Sequence, residues 1–502
     1  MRHAYGVAQV RAAEQALMAT VPDGALMQRA AAGLAVRAAG LLADRGVYSS
    51  RVLLLVGAGN NGGDTLFAGA RLARRGAQVR ALLLAGEHTH AAGLADFRAA
   101  GGRLVDEVSG PVDLVLDGIV GIGGRPGLRP DALAAVRAVA GTGAPVLAVD
   151  VPSGVDVDTG AAPAESVWAD VTVTFGTYKP SLVVGPAAPR AGLVELIDIG
   201  LAPYLPTAPV AEADGPSGWS VSPALPALSV PDADDIAAIW PVPVPSSDKY
   251  TRGVVGVATG SEAYSGAAVL SVGGALAGPA GFVRYAGHAA DHVRRAWPPA
   301  VIADRVGDAG RVQAWVVGSG LGTDVRAKGE LRAALAADVP VCVDADGLTL
   351  LADDPVGWLA DRTAPTVLTP HDREFARLAG AEPGDDRPAA ARELAARLGV
   401  TVLLKGDRTV VASPDGRCLV NSTGTAVLAT AGSGDVLSGL LGSLLAAGLP
   451  AERAAIAAAF AHGLAGREAA THGPVTAMDV LSGLRPVVRS LTSGNVAAHT
   501  FR

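Results

Sequence analysis

The chain has 502 residues, which at roughly 100–200 residues per domain indicates two to four domains. Apolar residues make up 50% and charged residues 18% of the chain, and these proportions exclude a protein that is disordered throughout. The 41 Lys and Arg against 48 Asp and Glu leave a net charge of −7. A chain with this balance lacks the basic excess of non-specific nucleic-acid binders, so we expect no nucleic-acid partner.

The N-terminal residues predict neither a signal peptide nor a membrane anchor. Residues 1–20 are amphipathic and lack the unbroken apolar stretch of a signal peptide. The longest charge-free run, 263–283, contains five Gly and one Pro and is too weakly hydrophobic for a membrane span. Cys342 and Cys418 lie in apolar stretches and are expected to be buried thiols, not a disulfide framework or a zinc site. We therefore expect a soluble cytoplasmic protein without a membrane partner.

Up to about residue 200, apolar runs rich in β-branched residues alternate with helical stretches. The helical stretches lie at 7–43, 66–75, 91–100 and 130–140. The predicted strands are 51–56, 78–84, 112–116, 145–149, 171–175 and 193–197. Nearly continuous apolar strands separated by helices indicate a parallel sheet covered on both faces.

Ten prolines between residues 202 and 245 predict a linker, which we place at 216–245 between domains 1–215 and 246–490. Polar residues 491–502 predict a frayed tail. The second domain shows the same alternation. Its predicted helices are 325–336, 372–378, 388–398, 435–447 and 451–471, and its predicted strands are 254–258, 312–317, 339–344, 366–368, 401–404 and 409–412.

The first candidate site follows the strand at 51–56. Gly57, Gly59 and Gly62 match G-x-G-x-x-G between a strand and a helix, a pattern that lets backbone N–H groups approach a phosphate. The inserted Asn60-Asn61 and the following Asp64 also offer oxygen atoms for an ion or a polyhydroxyl group. Alternatively, Asn and Asp only tolerate the turn and cap the helix.

Two further aspartates follow apolar strands directly. Asp117 precedes a glycine-rich loop, and Asp150 precedes Pro152 and Ser153. Because ligands of open α/β sheets bind at the carboxyl ends of strands, Asp64, Asp117 and Asp150 are expected to share one crevice.

These motifs resemble the epimerase domain of NAD(P)H-hydrate repair proteins over residues 5–201. The matching tracts are NNGGD at 60–64, DGIVGIGGRPG at 117–127, VDVPSGVD at 149–156, TFGTYKP at 174–180 and IDIGL at 197–201, although Thr65 stands where that family usually has Gly. The resemblance implies a Rossmann-like three-layer αβα domain that interconverts the R and S epimers of hydrated NADH and NADPH (NADHX and NADPHX).

The same resemblance implies the roles of individual residues. Asp150 is the expected proton-transfer residue, with a general acid/base role at C6 of the hydrated ring. The implied potassium ligands are Asn61, Asp117 and Ser153. The implied substrate-binding residues are Asn60, Asn61, Gly62, Gly63, Asp64, Gly121, Ile122, Gly123, Gly124, Arg125, Pro126, Gly127 and Asp150.

The second candidate site is TAGSGD at 430–435, which precedes a strongly apolar helix. Gly432, Ser433 and Gly434 offer backbone N–H groups to an anion at a helix N-terminus. Asp435 is either a helix cap or the base beside a transferred phosphoryl group. The chain has no G-x-x-x-x-G-K-[ST] motif, so it is not a P-loop NTPase.

Residues 247–488 resemble the ADP-dependent NAD(P)H-hydrate dehydratase domain, which has a ribokinase-like α/β fold. The matching tracts include GSGLG at 318–322, VDAD at 343–346, LTPHDRE at 368–374, LKGDRT at 404–409 and NSTG at 421–424. By this resemblance Ala267, Gly320, His371 and Asp435 contact the hydrate. The nucleotide would be held by Lys405, Gly406, Asp407, Arg408, Thr409 and Gly434.

The dehydratase resemblance also implies a reaction. Asp435 is the expected base for phosphorylation of the C6 hydroxyl, and loss of phosphate restores the reduced nicotinamide. ADP is the expected donor, with ATP as an alternative, Mg²⁺ neutralises the diphosphate, and AMP and phosphate are the products.

One repair enzyme with an isomerase and a lyase activity explains both halves of the chain. The alternatives are a ribokinase-like small-molecule kinase with a Rossmann-like accessory domain, a nucleotide-binding regulator without catalysis and, less well supported, a dehydrogenase. The partners expected are the small molecules NADHX, NADPHX, ADP and AMP. The sequence leaves open whether the chain forms a homo-oligomer.

Overall fold

The computed structural model describes residues 1–163, 165–206 and 225–500, with side chains as far as residue 493. These residues form two compact units. The N-terminal unit contains 3–206 and 225–228, and the C-terminal unit contains 229–500 with Met1 and Arg2. Within the described ranges, every helix is too short or too polar to span a lipid bilayer.

A short strand, β1 (Arg2–Ala4), precedes the helices and the sheet of the N-terminal unit. The helices are α1 (Val7–Met18), α2 (Ala25–Leu41), α3 (Gly59–Arg74), α4 (Ala91–Ala99) and α5 (Pro130–Ala140). The sheet contains β2 (Arg51–Val56), β3 (Gln78–Leu83), β4 (Arg103–Val105), β5 (Leu114–Gly118), β6 (Val146–Val149), β7 (Val171–Phe175) and β8 (Leu193–Ile197).

The N-terminal sheet is parallel throughout, in the order β4-β3-β2-β5-β6-β7-β8. Val52 of the central strand pairs with Val79 on one side and Leu114 on the other. The strand order reverses between β2 and β5, and a crevice opens at the carboxyl ends of strands at such a point.

Alternate side chains of β2 enter two separate cores. Val52, Leu54 and Val56 pack with α1, α2 and α3, whereas Leu53 and Leu55 pack with α5. A strand directs successive side chains to opposite faces, so this division confirms the predicted three-layer αβα arrangement.

The C-terminal unit repeats the alternation over a longer sheet. Its helices are α6 (Ala233–Ile239), α7 (Ser265–Ala277), α8 (Ala290–Ala296), α9 (Val325–Ala336), α10 (Asp346–Leu351), α11 (Pro355–Leu359), α12 (Asp372–Ala379), α13 (Arg387–Leu398), α14 (Ser433–Ala446), α15 (Ala451–Ala470) and α16 (Ala477–Thr500). Its strands are β9 (Leu228–Val230), β10 (Val254–Ala258), β11 (Phe282–Ala286), β12 (Val301–Ala303), β13 (Ala314–Val317), β14 (Val341–Val343), β15 (Thr366–Leu368), β16 (Thr401–Leu404), β17 (Val410–Ala412) and β18 (Cys418–Val420).

These strands follow the order β9-β18-β17-β16-β15-β14-β13-β10-β11-β12. Strands β10 to β16 are parallel to one another, and β17 is antiparallel to both β16 and β18. Val255 and Val257 of β10 pack in one core with α7, α14, α15 and α16. The order reverses between β10 and β13, which predicts the second crevice there.

All twelve predicted strands are observed within two residues of their expected ends, but several other parts of the chain differ from prediction. The helical stretch 7–43 is two helices, because Pro22 and the left-handed Gly24 interrupt it. Helix α3 begins at Gly59 and includes the whole NNGGD tract. Strand β9 and helix α6 form within the predicted linker, whose residues 216–224 lie outside the described ranges. Helix α16 continues through the expected tail to Thr500, with Leu491 buried.

The two cysteines are both free and buried, as predicted. Cys342 lies in the central strand β14 and Cys418 in β18. Burial raises the pKa of the Cys342 thiol above its usual range, with the charge of Asp344 as the next cause. Both thiols therefore serve as small apolar side chains.

Candidate active sites of the two units

The turn from β2 into α3 packs directly against the loop after β5. A Cβ at Gly57 would lie 1.8 Å from the carbonyl oxygen of Ile119, and one at Gly62 would lie 2.2 Å from the carbonyl oxygen of Gly57. Only glycine allows these backbone approaches. The G-x-G-x-x-G pattern therefore shapes the floor of the first crevice.

Thr65 fits this turn because it lies inside α3. Its side chain is fully buried, and its hydroxyl donates to the carbonyl oxygen of Asn61 at 2.7 Å. A Cβ at Gly118 would lie 1.8 Å from that hydroxyl oxygen. The extra bulk of Thr65 is thus accommodated by a glycine at the end of β5.

Asp117 and Ser153 form a buried pair at the ends of neighbouring strands. The Ser153 hydroxyl donates to Asp117 at 2.7 Å and its backbone N–H donates at 2.9 Å. The same hydroxyl accepts the N–H of Val120 at 3.0 Å. Burial raises the pKa of Asp117 to about 6, against the lowering effect of the Ser153 hydrogen bonds. Among the described residues, no cationic side chain contacts this carboxyl group.

The loop 121–127 passes over this pair and over Asn61. A Cβ at Gly121 would lie 3.0 Å from Oδ1 of Asn61, and the buried amide nitrogen of Asn61 has no hydrogen-bond partner among the described residues. At the far end of the loop, the Gly127 N–H donates to the Gly154 carbonyl oxygen at 2.8 Å. Residues 123–126 are exposed. The loop is thus fixed at both ends, with its middle open to solvent.

Asp150 adopts a left-handed backbone conformation, with φ of 69°, directly after β6. Its Oδ1 accepts the ammonium of Lys179 at 2.5 Å, the hydroxyl of Thr174 at 3.1 Å and the N–H of Phe175 at 3.3 Å. Lys179 is 1% exposed. An uncommon backbone conformation and a buried ion pair together hold this carboxylate in one orientation.

Asp64 and Glu14 supply two more carboxyl groups beside Asp150. Burial raises the pKa of Asp64 well above its usual range, and the charges of Asp150 and Glu14 add to the effect. Burial also raises the pKa of Glu14, followed by the charge of Asp150. Asp64, Asp150 and Glu14 therefore lie near one another, with Lys179 on Asp150, whereas the hydrogen bonds of Asp117 come from Ser153 and Ile119.

Asp344 is the central buried charge of the second crevice. Its carboxylate accepts the Lys405 ammonium at 2.8 Å, the Thr369 hydroxyl at 2.8 Å and the Ser438 hydroxyl at 2.7 Å. Burial opposes ionisation of Asp344, but Lys405 and the hydroxyl donors outweigh it and lower the pKa. Asp344 is therefore an anion whose charge is stabilised by hydrogen bonds from Lys405, Thr369 and Ser438.

Asp435 lies in the first turn of α14, beside this anion. Burial raises the pKa of Asp435 to about 7, with the charge of Asp344 as the second cause and a hydrogen bond from Ser319 acting against both. The helix begins after Gly432, whose φ of 88° is left-handed. A carboxyl group that titrates near neutrality can exchange a proton with a bound hydroxyl group.

The other residues that the resemblance assigns to hydrate binding lie in the first turn of α7 (Ala267), in the loop after β13 (Gly320) and at the start of α12 (His371). A Cβ at Gly320 would lie 2.8 Å from the Cβ of Ala267, so these two residues are adjacent. His371 caps α12, and its Nδ1 accepts the N–H groups of Arg373 and Glu374 at 3.1 and 3.3 Å. A surface recess of about 410 Å³ is lined by His371, Asp372, Arg373 and Lys405.

Lys405 lines this recess and places its ammonium in the carboxylate cluster. Its ammonium lies 2.8 Å from Asp344 and 3.6 Å from Glu374. A Cβ at Gly434 would lie 3.6 Å from the same nitrogen, so the start of α14 faces Lys405. The following residues, 406–409, form the turn between β16 and β17, where the Thr409 hydroxyl donates to the Gly406 carbonyl oxygen at 3.0 Å.

The sequence analysis missed the roles of four charged residues. Lys179, Asp344 and Glu374 lay in the motifs that were recognised, and each follows a strand, so position at a strand end was a usable signal. Glu14 lies on α1, far from any motif, and nothing in its local sequence distinguished it.

Two family models match the chain, one in each unit. Residues 23–181 match the model described as YjeF-related protein N-terminus, and residues 255–484 match the model described as NAD(P)H-hydrate dehydratase. The bifunctional NAD(P)H-hydrate repair enzyme Nnr of Mycobacterium tuberculosis (strain ATCC 25618 / H37Rv) is 52% identical over 457 residues, 91% of each chain. The chain belongs to the bifunctional NAD(P)H-hydrate repair enzyme family.

Other members of the NAD(P)H-hydrate repair enzyme family also match along almost the whole chain. The Mycobacterium leprae (strain TN) enzyme is 49% identical over 484 residues, 94% of this chain and 96% of its own. Among solved structures, an ADP/ATP-dependent NAD(P)H-hydrate dehydratase from Bacillus subtilis, co-crystallised with ATP/Mg²⁺, is 28% identical with a TM-score of 0.46. The match covers 52% of this chain and 97% of the Bacillus subtilis chain. Family membership favours the repair interpretation over the small-molecule kinase.

Proposed function

We propose that the N-terminal unit interconverts the R and S epimers of NADHX and NADPHX, and that the C-terminal unit dehydrates the S epimer to NADH or NADPH. The observation that carries this proposal is the pair of crevices. Each lies at the reversal point of a sheet and holds a recognised aspartate, Asp150 or Asp435, beside a buried Lys–carboxylate contact. Both belong to one chain of the repair family, which explains why an epimerase accompanies a dehydratase that acts on one epimer.

For epimerisation, we assign substrate binding to 60–64, 121–127 and Asp150, and proton transfer to Asp150. Oδ1 of Asp64 is buried and has no hydrogen-bond partner among the described residues, which supports contact with a ligand, because a buried polar atom without a partner is costly. The central residues of the loop 121–127 are exposed and therefore accessible to a ligand.

We assign a potassium ion to Asn61, Asp117 and Ser153. The oxygen atoms of these residues suit a hard cation, and Asp117 is buried without a cationic side chain among the described residues. The ion would supply that missing positive charge and would hold the loop 121–127 against Asn61.

For dehydration, we assign the hydrate contacts to Ala267, Gly320, His371 and Asp435. Asp435 takes the proton of the C6 hydroxyl while that oxygen bonds to the terminal phosphorus of ADP and AMP leaves. Phosphate then leaves C6 with the electron pair of the C–O bond, and loss of a proton from C5 restores the ring double bond. The neutral-range pKa of Asp435 supports its part in this step.

We assign nucleotide binding to Lys405–Thr409 and Gly434. Support comes from the turn at 406–409 beside the recess at His371, and from the backbone N–H groups at the start of α14. The described residues contain no cluster of three His, Cys, Asp or Glu side chains arranged for a metal, so we assign Mg²⁺ to the diphosphate, whose charge it neutralises.

The experiment is recovery of NADH from a mixture of both NADHX epimers with K⁺, Mg²⁺ and either ADP or ATP. Near-ultraviolet absorbance reports the reduced nicotinamide. We expect complete recovery, faster than spontaneous epimerisation allows, with ADP as the preferred donor. Recovery that stops near half would contradict the epimerase assignment. A phosphorylated product that accumulates without NADH would support the kinase alternative.

A further inference from the structure

Three carboxyl groups of the first crevice lie near one another, and among the described residues only one buried cation contacts any of the three. Asp64, Asp150 and Glu14 influence each other electrostatically, and Lys179 is bound to Asp150 alone. Three anions beside a single ammonium repel each other, so the lowest-energy state keeps a proton on a group that lacks the cation. The question is which group carries it.

Lys179 is fully occupied by protein acceptors. Its ammonium donates to Asp150 Oδ1 at 2.5 Å, to the Thr174 hydroxyl oxygen at 2.9 Å and to the Phe175 carbonyl oxygen at 2.9 Å. An ammonium group has three donors, so none remains for a substrate. Lys179 therefore acts through Asp150, whose Oδ1 it holds in place.

Oδ2 of Asp150 is the oxygen left for a reactant. All three hydrogen bonds that the described residues make to this carboxylate fall on Oδ1. The left-handed backbone at Asp150 and the donors on one oxygen fix the direction of the other. An anionic, oriented oxygen is what a general base requires.

Asp64 has the opposite environment. It is 8% exposed, its Oδ1 has no hydrogen-bond partner among the described residues, and its charged neighbours are the acids Asp150 and Glu14. Arg11 and Lys179 act on Glu14 rather than on Asp64. His90, whose ring lies 3.0 Å from a Cβ built at Gly63, caps α4 by accepting the Gly93 N–H. Asp64 is thus the carboxyl group best suited to hold a proton.

We propose that Asp64 is the general acid and Asp150 the general base of epimerisation at C6, with Lys179 as the positioning residue of Asp150. This inference rests on the proposed epimerase function and assigns its proton transfers. It moves Asp64 from a binding role to a catalytic one.

The reaction balances with these groups and water alone. Asp64 gives its proton to the C6 hydroxyl, the C6–O bond breaks, and water leaves with the bonding electron pair. The ring nitrogen N1 shares its lone pair with C6 and carries the positive charge. A water molecule then bonds to the opposite face of C6 as N1 recovers its pair, and Asp150 takes the released proton. Proton exchange with solvent returns Asp150 and Asp64 to their starting states.

The first test measures where the oxygen comes from. The full chain, with K⁺ and without nucleotide so that the dehydratase is idle, converts purified R-NADHX in ¹⁸O-labelled water. We expect one ¹⁸O atom at C6 for each epimerisation event, after correction for spontaneous exchange. An S product that keeps its original oxygen would overturn the proposal, because ring opening and closure need no departing water. This measurement needs no variant.

The second test compares Asp64→Asn with Asp150→Asn, and uses Asp96→Asn on the Arg74 ion pair as the matched control. We expect each of the first two to lower kcat for epimerisation at least about 100-fold, the usual scale of general acid–base catalysis. Asp64→Asn should change KM little, since the amide still donates a hydrogen bond, and should abolish the decline of kcat at alkaline pH. The control should behave as the unsubstituted chain.

The third test separates positioning from structure at Lys179. In Lys179→Met, kcat for epimerisation should fall while KM changes little, because the ammonium no longer holds Oδ1 of Asp150 and the direction of Oδ2 is lost. Lys179→Arg should restore part of kcat, since a guanidinium can donate to the same oxygen. A KM that rises together with the loss of kcat, or the absence of rescue by Lys179→Arg, would show a merely structural role.

The outcomes separate this proposal from the function on which it rests. If the unsubstituted chain does not epimerise NADHX, the proposed function fails. If the chain is active but Asp64→Asn keeps kcat within threefold, only the acid–base assignment fails. If Asp64→Asn does not fold, retention of the original oxygen by the unsubstituted chain would still overturn the proposal.

Discussion

Asp150 and Asp435 illustrate how the same side chain acquires two different properties. Both follow a recognised motif and both are largely buried, but Asp150 touches an ammonium group whereas Asp435 lies beside the anion of Asp344. Burial and, as the next cause, the negative neighbour raise the pKa of Asp435 to about 7. At the scale of the residue, burial and a neighbouring charge thus allow Asp435 to exchange a proton near neutral pH.

Removing each aspartate should abolish one activity and leave the other. We expect Asp435→Ala to lower dehydration at least about 100-fold without affecting epimerisation, and Asp150→Ala to do the converse, because each removes the base of one site. Epimerisation is measured without nucleotide, and dehydration is measured on the purified S epimer with ADP. A folded variant that loses both activities would contradict the two-site assignment.

The anion Asp344 should set the pH dependence of dehydration. In the unsubstituted chain, kcat/KM should fall as the pH drops through about 7, because the base Asp435 becomes protonated. Asp344→Asn removes the negative neighbour, which lowers the pKa of Asp435 and moves this decline to lower pH. The pH profile of S-NADHX dehydration measures the shift.

A matched control for that profile lies on the surface of the same unit. Asp353 pairs with Lys328, and its side chain is 70% exposed. Asp353→Asn should leave the profile unchanged, since an exposed pair is screened by water. An unshifted profile in Asp344→Asn would show that the charge of Asp344 does not raise the pKa of Asp435.

At the scale of elements, α7 and α14 pack at backbone contact. A Cβ at Gly274 of α7 would lie 2.2 Å from the Val436 carbonyl oxygen, and one at Gly439 of α14 would lie 2.0 Å from the Ser271 carbonyl oxygen. Glycines on both helices therefore set the position of α14, whose first turn carries Asp435. Nothing larger fits without moving a helix.

Gly439→Ala should consequently weaken both stability and dehydration. We expect a loss of roughly 1–3 kcal/mol of unfolding free energy from overpacking, and a lower dehydratase kcat because Asp435 lies four residues earlier on the same helix. Gly329→Ala is the control, since Gly329 lies exposed in α9 with nothing within 4 Å of its Cβ position. That change should stabilise by up to about 1 kcal/mol. Denaturant midpoints and initial rates measure both.

The elements that the sequence predicted well share one feature. Strands such as β2, β7 and β10 are uninterrupted apolar runs with polar or glycine residues at their ends, and their predicted bounds are the observed ones. Helix α7 was missed because it is apolar on all sides and contains glycine, so it has no helical periodicity. The three-residue strands β4, β12 and β18 and the five-residue strand β11 were also missed, whereas β15, which has three residues, was predicted at its observed bounds.

At the scale of the whole molecule, the sheets of the two units share one pattern of strand order. In each sheet the first long parallel strand lies third from one edge, with the next two strands on one side and the later ones on the other. The loops after strands β2 and β5, and after β10 and β13, diverge at the reversal point. One topology thus provides two crevices for two different reactions.

Nucleotide binding should slow backbone hydrogen exchange in the C-terminal unit only. We expect ADP with Mg²⁺ to slow backbone hydrogen exchange at 405–409 and 432–435 and to leave exchange at 60–64 unchanged, because only the C-terminal unit is assigned to bind it. At 100 times the dissociation constant the stabilisation would be about 2.7 kcal/mol. Mass spectrometry of peptides from the full chain measures each region, with buffer containing Mg²⁺ alone as the control. Protection at 60–64 instead would reverse the assignment.

The sequence by itself determined the strands and the chemically active tracts at their ends. Apolar runs, glycines and adjacent polar residues are local features, so NNGGD, Asp150 and the tract ending in Asp435 could be recognised without a fold. Only the tertiary structure decided the electrostatic partners of these residues. Lys179 reaches Asp150 across 29 positions of the chain, and Lys405 reaches Asp344 across 61. Such pairs and their burial exist only once distant strand ends meet, and they determine which carboxyl group holds a proton.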